Sequence, residues 1–150
     1  MPYGAGMALA MKNMKNTNSK VFVIISDGEC DEGTTWETAL FASQFKLNNL
    51  TVIIDRNRIQ SLDDTEKTIA LEPLFEKWKS FNWDVIEIDG HNQSDLYSAI
   101  KSNSESPKCI IANTTKGKGI SFMENTVLWH YKSLNETELT ASMLELEKNA

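Results

Sequence analysis

Four short apolar runs along the chain predict β-strands, and the segments between them predict helices. The strands are expected at residues 20–26, 50–55, 84–88 and 108–113. Apolar runs with little polar alternation are typical of strands that are buried on both faces of a parallel sheet. Helical spacing or helix-forming composition predicts helices at residues 5–15, 34–46, 71–81, 93–102 and 136–148. Residues 114–135 are rich in Gly and polar side chains, and we expect them to be irregular.

The regular alternation of these elements predicts the fold class. Strands that alternate with helices indicate an α/β domain, with a parallel sheet and helices on both faces. The 150 residues are enough for one such domain, covering 1–150. The strand order stays open, with a 2-1-3-type arrangement as one option. Ligands of these sheets bind at the carboxyl ends of the strands, here the loops after Ser26, Asp55 and Asn113.

Composition and charge argue against several classes of function. The formal net charge of −6 argues against a nucleic-acid partner. No apolar run approaches the roughly 20 residues of a membrane span, so we expect no membrane insertion. The N-terminus lacks the pattern of a signal peptide, which favours a cytoplasmic location. Cys30 and Cys109 form neither a disulfide framework nor a C-x-x-C pair that would indicate zinc.

Two short oxygen-bearing side chains follow the first two predicted strands. Asp27 and Gly28 come directly after the first strand, and Asn57 follows the second. Gly28 can adopt φ > 0 and lets a ligand approach the backbone closely. If the two strands lie close together, Asp27 and Asn57 can reach one hard cation, for which Mg²⁺ is the expected species. Two protein ligands bind Mg²⁺ weakly, so a diphosphate is expected to supply further oxygens.

The strings around these residues resemble one enzyme family. Asp27 precedes Asn57 by 30 positions, as in the diphosphate-binding motif of thiamine-diphosphate enzymes. The strings D-G-E-C-D-E-G-T-T-W-E-T-A, K-L-N-N-L-T-V-I-I-D-R-N and T-x-K-G-K-G-x-x-x-M-E-N, followed by Trp129-His130, resemble the transketolase family. The resemblance is strongest to the N-terminal subunit of transketolases that are split over two polypeptides. It implies the thiamin-diphosphate-binding fold, incomplete here, with thiamine diphosphate and Mg²⁺ as cofactors.

The resemblance also implies a role for each matching residue at the cofactor. Asp27 and Asn57 match metal ligands that act through their side chains, and Ile59 matches one that acts through its backbone carbonyl. Ser26 and Gly28 match residues that contact the diphosphate through backbone groups.

Two further residues match positions associated with catalysis in the family. Glu32 matches an acidic residue at the subunit interface, in a carboxylate network that links two cofactor sites. His130 matches a histidine that faces the cofactor and the donor substrate, and Lys116–Gly119 matches the loop that leads to it.

The activity implied by the resemblance is two-carbon ketol transfer from a ketose to an aldose. Sugar phosphates or related sugars are the expected substrates. The carboxylate that activates the aminopyrimidine belongs to a second, pyrimidine-binding domain of the family. The expected partner is therefore a C-terminal transketolase subunit, and the expected assembly is a dimer or heterotetramer.

Three features depart from the family pattern. Ser26 stands where the motif begins with Gly, which is tolerable if φ there is negative. Ser61 stands where an apolar residue often flanks the thiazolium. The family's N-terminal half begins well before the helix that residues 2–15 match, which predicts a truncated domain or fragment that exposes apolar sheet surface.

Two other functions remain open on the sequence alone. A non-catalytic truncated remnant agrees with the short N-terminus. A thiamine-diphosphate enzyme with another donor, such as a 2-oxoacid, agrees with the Asp-Gly and Asn motif, although the K-G-K-G and Trp129-His130 strings favour transketolase.

Several candidate residues also have structural interpretations. Glu32 can be a solvated acid in the first turn of a helix, where the helix dipole favours it. His91 is expected in a structural turn, and Cys30 is expected to be a small filler rather than a nucleophile. Arg56 and Arg58 either steer phosphate groups or occupy solvated loop positions. Trp36, Trp78 and Trp83 are expected in the core rather than at a ligand.

Overall fold

Among the described residues, four parallel strands form one sheet, which confirms the predicted α/β class. The structure is a computed structural model that describes residues 1–14 and 19–149. The strand order is β1-β2-β4-β3, with neighbours parallel throughout. The 2-1-3-type option is wrong, because β1 lies at an edge and pairs with β2 alone. The strands are β1 Val21–Ser26, β2 Leu50–Arg56, β3 Asp84–Asp89 and β4 Lys108–Asn113.

The helices lie close to their predicted positions. They are α1 Pro2–Asn13, α2 Gly33–Gln44, α3 Thr65–Thr68, α4 Leu74–Ser80, α5 Gln93–Lys101 and α6 Glu136–Asn149. The sequence pattern does not predict the short α3, nor the 3₁₀ helices Asp27–Asp31 and Val127–His130. Residue 15, the last of the first predicted helix, lies outside the described residues.

Helices cover both faces of the sheet, as predicted. On one face α1 packs so closely that a side chain at Gly4 would collide with Val23. The same face carries the tryptophan core, where Trp78 is fully buried and Trp83 donates its indole N–H to the carbonyl of Ala39 at 3.0 Å. On the opposite face the buried ammonium of Lys108 donates to two backbone carbonyls at the end of α5.

The sheet exposes apolar surface at β1. Phe22 and Ile24 point away from the tryptophan core, and their exposed fractions are 46% and 73%. This agrees with the expected exposure of apolar sheet surface. Among the described helices, none combines the length and apolar character that a membrane crossing requires.

A buried arginine at the end of β2 anchors the segment that leads to α4. Arg56 is 2% exposed, and it donates to Thr65 Oγ1 at 2.7 Å. Its other terminal nitrogen donates to carboxylate oxygens of Glu66 and Glu72, each at 2.9 Å. Because one guanidinium holds both carboxylates, Arg56 ties the segment 57–73 to the end of β2.

We expect Glu72→Gln to weaken the fold at neutral pH and to matter less in acid. The hydrogen bond from Arg56, and next the N–H of Leu74, hold the pKa of Glu72 below its ordinary value of 4.5. A lowered carboxyl pKa stabilises the fold above about pH 4.5, and the contribution disappears as the pH falls through the lower value. Since Glu72 is half exposed, the loss at pH 7 is expected to be about 1 kcal/mol or less.

Urea unfolding of the wild type and Glu72→Gln at pH 7 and below pH 4 measures this difference. Glu105→Gln, at an exposed loop carboxylate, is the control. We expect its free energy of unfolding to match that of the wild type at both pH values. The account is contradicted if Glu72→Gln and the wild type have the same free energy of unfolding at pH 7, or if the variant's loss of stability grows on acidification.

Candidate functional site

The carboxyl ends of β1 and β2 meet at the site predicted from the sequence. The two strands pair in register, with Ser26 opposite Asp55. Asp27 follows β1 and is 1% exposed, and its Oδ2 accepts the backbone N–H of Arg58 at 2.6 Å. Because Arg58 directly follows Asn57, the structure places the Asp27 carboxylate beside the loop that carries Asn57 and Ile59.

The turn after β1 is closed by its own side chains. Ser26 has φ −78°, the negative value that its place in the motif requires. Its hydroxyl accepts the N–H of Glu29, and the Glu29 carboxylate accepts the N–H of Ser26, both at 3.2 Å. For the Ser26 N–H to bind a diphosphate, as the resemblance implies, the exposed Glu29 side chain has to move away.

Gly28 does not use its freedom to adopt φ > 0. It lies within the 3₁₀ helix, and the described glycines with positive φ are Gly117 and Gly119. A Cβ at Gly28 would lie 3.4 Å from the side chain of Gln60. Gln60 in turn donates to Asp31 at 2.7 Å, which joins the loops that follow β1 and β2.

The oxygens of the predicted metal ligands retain free lone pairs. Asp27 Oδ1 accepts one hydrogen bond, from Gly28 N–H at 2.8 Å, and Asn57 Oδ1 accepts one, from Ile59 N–H at 3.0 Å. Within residues 1–14 and 19–149, no backbone N–H outside the regular elements donates to the Ile59 carbonyl. One carboxylate, one amide and one carbonyl oxygen are the hard donor set that Mg²⁺ takes alongside phosphate oxygens and water. The residues therefore fit the implied ion.

The electrostatics of Asp27 are set by burial and by its donors. Burial raises the pKa of the Asp27 carboxyl, while the N–H of Arg58 and the charge of Arg56 act against the rise. A divalent cation at the free oxygen would favour the ionised form still further.

Arg56 is the main feature that sequence reasoning missed. The interpretation as a solvated loop position is wrong, because the side chain is buried and donates to Asp27 Oδ2 at 3.2 Å. Phosphate steering by Arg56 stays a prediction. The signal that could have found it is the parallel register, which places the residue after Asp55 opposite the residue after Ser26. Arg58, by contrast, is exposed, and both arginines line a cavity of about 520 Å³ with His91 and Lys118.

The loop that resembles the family's K-G-K-G string is tightly folded. Gly117 and Gly119 have φ of +75° and +98°, and a Cβ at Gly117 would lie 2.6 Å from the carbonyl oxygen of Met123. The Met-Glu-Asn string folds back on the glycines, since Asn125 N–H donates to the Lys116 carbonyl at 3.0 Å. The two strings therefore form one local structure.

The two predicted catalytic residues are exposed and make no direct contact by hydrogen bonding with the predicted metal ligands among the described residues. His130 is exposed at the end of its 3₁₀ helix, and Glu32 is exposed at the N-terminus of α2. In the described part of the chain, no hydrogen bond joins either side chain to Asp27 or Asn57. Their roles stay predictions.

The structural interpretations of two other residues are supported. His91 accepts the N–H of Thr115 at Nε2, at 2.7 Å, which ties the loop after β3 to the loop after β4. Cys30 is buried, and desolvation raises the pKa of its thiol to about 12, so it is not a nucleophile at neutral pH.

Comparison with known proteins identifies relatives of the same kind. The family described as "Transketolase, thiamine diphosphate binding domain" matches residues 5–148. One subunit of the apulose-4-phosphate transketolase of Phocaeicola vulgatus is 41% identical over 131 residues, which are 85% of this chain and 46% of that protein. The 6-deoxy-6-sulfo-D-fructose transketolase subunit SqwG of a Clostridium species is 41% identical over 146 residues, 95% of this chain and 53% of that protein. The chain thus spans about half the length of these relatives.

Transketolases also share its fold. Human transketolase is 36% identical over 129 residues, 86% of this chain and 21% of that protein. The structure of transketolase from Campylobacter jejuni superposes with a TM-score of 0.89 at 26% identity, covering 96% of this chain and 24% of that chain. With the match over residues 5–148, these findings show that the chain belongs to the transketolase thiamine diphosphate-binding domain family.

Proposed function

We propose that this chain binds the diphosphate of thiamine diphosphate through one Mg²⁺ and acts in two-carbon ketol transfer. The observation that carries the proposal is the adjacency of Asp27 to the loop holding Asn57 and Ile59, with one free lone pair or more on each ligand oxygen. Mg²⁺ offsets part of the negative charge of the diphosphate, which favours its binding to a chain whose formal net charge is −6.

The chain's own residues bind and orient in this proposal. Thiamine diphosphate, when bound, supplies the nucleophilic carbon chemistry. Asp27 and Asn57 hold the ion by side-chain oxygens and Ile59 by its carbonyl, while Ser26 and Gly28 line the diphosphate with backbone groups. His130 faces the cofactor and the donor sugar, where an imidazole can hold or move a proton.

Glu32 and the partner complete the proposed assembly. A C-terminal, pyrimidine-binding subunit supplies the other half of the site, in a dimer or heterotetramer, and Glu32 lies in the carboxylate network between sites. Its exposure at the start of α2 leaves it available for such an interface.

The names of the relatives narrow the proposed substrates. Two of them act on ketoses that carry a phosphate or a sulfonate, as their names state. We propose the same class here, a ketose with a terminal anionic group as donor. A 2-oxoacid donor and a non-catalytic remnant are the alternatives, and the assays below separate them.

We expect Asp27→Ala and Asn57→Ala to weaken Mg²⁺-dependent binding of thiamine diphosphate by at least about tenfold. Each variant removes one of the oxygens that hold the ion. Loss of a direct metal ligand is expected to lower affinity at least as much as loss of a residue that supports a ligand, which typically costs about tenfold or more. Isothermal titration of the purified chain, alone and with its pyrimidine-domain subunit, measures the dissociation constants.

Glu105→Ala and Asn48→Ala are the controls, because both side chains are exposed and neither lies in the loops that follow β1 and β2. We expect both to bind as the wild type does, and circular dichroism shows whether the fold is kept. Wild-type affinity in folded Asp27→Ala, or no binding by the wild type with its partner present, would contradict the proposal.

We expect His130→Ala to lower kcat for ketol transfer by about 100-fold or more, with cofactor affinity within about threefold. A side chain that holds a proton in the reaction contributes roughly this much to the rate and little to cofactor binding. Stopped assays with phosphorylated and sulfonated ketoses, and with 2-oxoacids, give the rates.

The other histidine provides the comparison for this variant. His91 contacts a backbone amide, so His91→Ala is expected to leave kcat within about tenfold of the wild type. If His130→Ala keeps the wild-type kcat, His130 has no role in the reaction. Turnover of 2-oxoacids alone would favour the alternative donor, and cofactor binding without turnover of any donor would favour the remnant.

A further inference from the structure

We propose that Arg56 is the positioning residue that assigns the two oxygens of Asp27 different tasks, with Oδ2 held by the protein and Oδ1 left for the metal. This inference rests on the proposed function, and it names a residue that the family motif does not include. The proposed role of Arg56 is to orient the carboxylate of Asp27 before the metal ion binds.

The two carboxylate oxygens of Asp27 have unequal surroundings. Oδ2 accepts from Arg58 N–H at 2.6 Å and from Arg56 Nη1 at 3.2 Å. Among the residues that the structure describes, Oδ1 accepts only from the N–H of Gly28, its own neighbour, at 2.8 Å. Two donors on Oδ2 and one on Oδ1 leave the free lone pair on Oδ1, so the metal is expected to bind there.

The guanidinium is itself fixed in orientation. Its two terminal nitrogens make four hydrogen bonds, which reach Asp27, Thr65, Glu66 and Glu72. Arg56, Asp27 and Thr65 are all 2% exposed or less, so water has little access to the bonds that join these three side chains. A lysine offers three donors from a single nitrogen and cannot reproduce this planar fork.

The surrounding charges also explain how a cation can stand beside a metal ligand. An arginine in contact with Asp27 would repel Mg²⁺ if its charge were unbalanced. Here Glu66 and Glu72 each lie 2.9 Å from Arg56 Nη2, so three carboxylates surround one guanidinium. The cluster as a whole is negative, and the guanidinium can orient Asp27 without opposing the metal.

Two sets of variants test the role of Arg56. Arg56→Lys keeps the positive charge but replaces the planar guanidinium, with its fixed set of donors, by a single ammonium. Arg56→Met combined with Glu66→Gln and Glu72→Gln removes the guanidinium without leaving Glu66 and Glu72 unpaired, so the loss of stability is confined to the contact with Asp27. Binding of Mn²⁺ in the presence of thiamine diphosphate is followed by the electron paramagnetic resonance signal of the free ion.

We expect the triple variant to weaken Mn²⁺ binding by about 10- to 100-fold, the usual effect of removing a residue that orients a metal ligand. Arg56→Lys should lie between it and the wild type, as a partial rescue. Lys108→Met is the matched control, because it also removes a buried cation that binds only protein groups, here at the end of α5. It should lower the thermal unfolding midpoint and leave Mn²⁺ affinity unchanged.

Unchanged or tighter Mn²⁺ binding in folded Arg56→Lys and in the triple variant would overturn the inference. So would an equal loss in Lys108→Met, since the effect would then be one of general stability. Asp27→Ala separates this failure from that of the proposed function. If Asp27→Ala loses Mn²⁺ and the Arg56 variants do not, only the positioning role is wrong; if Asp27→Ala binds normally, the metal site itself is wrong.

Discussion

The parallel pairing of β1 with β2 determines where every polar group of the candidate site lies. Because Ser26 lies opposite Asp55, the residues that follow each strand emerge side by side. A slip of one residue would send Asp27 to the other side of the sheet and separate it from the Arg58 N–H. The apolar side chains of both strands set this register, since Ile25 and Ile54 are fully packed on the same face. Packing in the core thus fixes the chemistry at the edge.

Burial of charge is the cost of this arrangement, and the network around Arg56 offsets it. Asp27 and Arg56 are almost fully enclosed, and removing one partner of such a pair typically costs about 3–5 kcal/mol. Glu66 and Glu72 stay partly exposed, so they complete the arginine's hydrogen bonds without a full desolvation penalty. The same side chain that ties residues 57–73 to the sheet also contacts the proposed metal ligand. Fold stability and metal binding are therefore coupled at one residue.

The sequence predicted the strands, the helices and the loops that meet at the site because each rests on local patterns. The apolar runs of β1 and β2 end at Ser26 and near Asp55, so the place of Asp27 and Asn57 followed directly from the chain. The environment of Arg56 did not follow, because its partners Glu66 and Glu72 come from a segment whose path depends on tertiary packing. The strand order was open for a similar reason, since right-handed crossovers permit several orders. Glu32 and His130 rest on resemblance, and within the described residues no hydrogen bond joins either side chain to Asp27.

The central claim is that Asp27 and Asn57 share one divalent ion that also binds a diphosphate. Crystals grown with Mn²⁺ and thiamine diphosphate, measured at the manganese absorption edge, test it most directly. We predict one anomalous peak about 2.1 Å from Asp27 Oδ1, Asn57 Oδ1 and the Ile59 carbonyl, with diphosphate oxygens completing the shell. A bound cofactor whose metal peak lies away from these oxygens, or a peak bound to Asp27 Oδ2 with Arg56 displaced, would contradict the account.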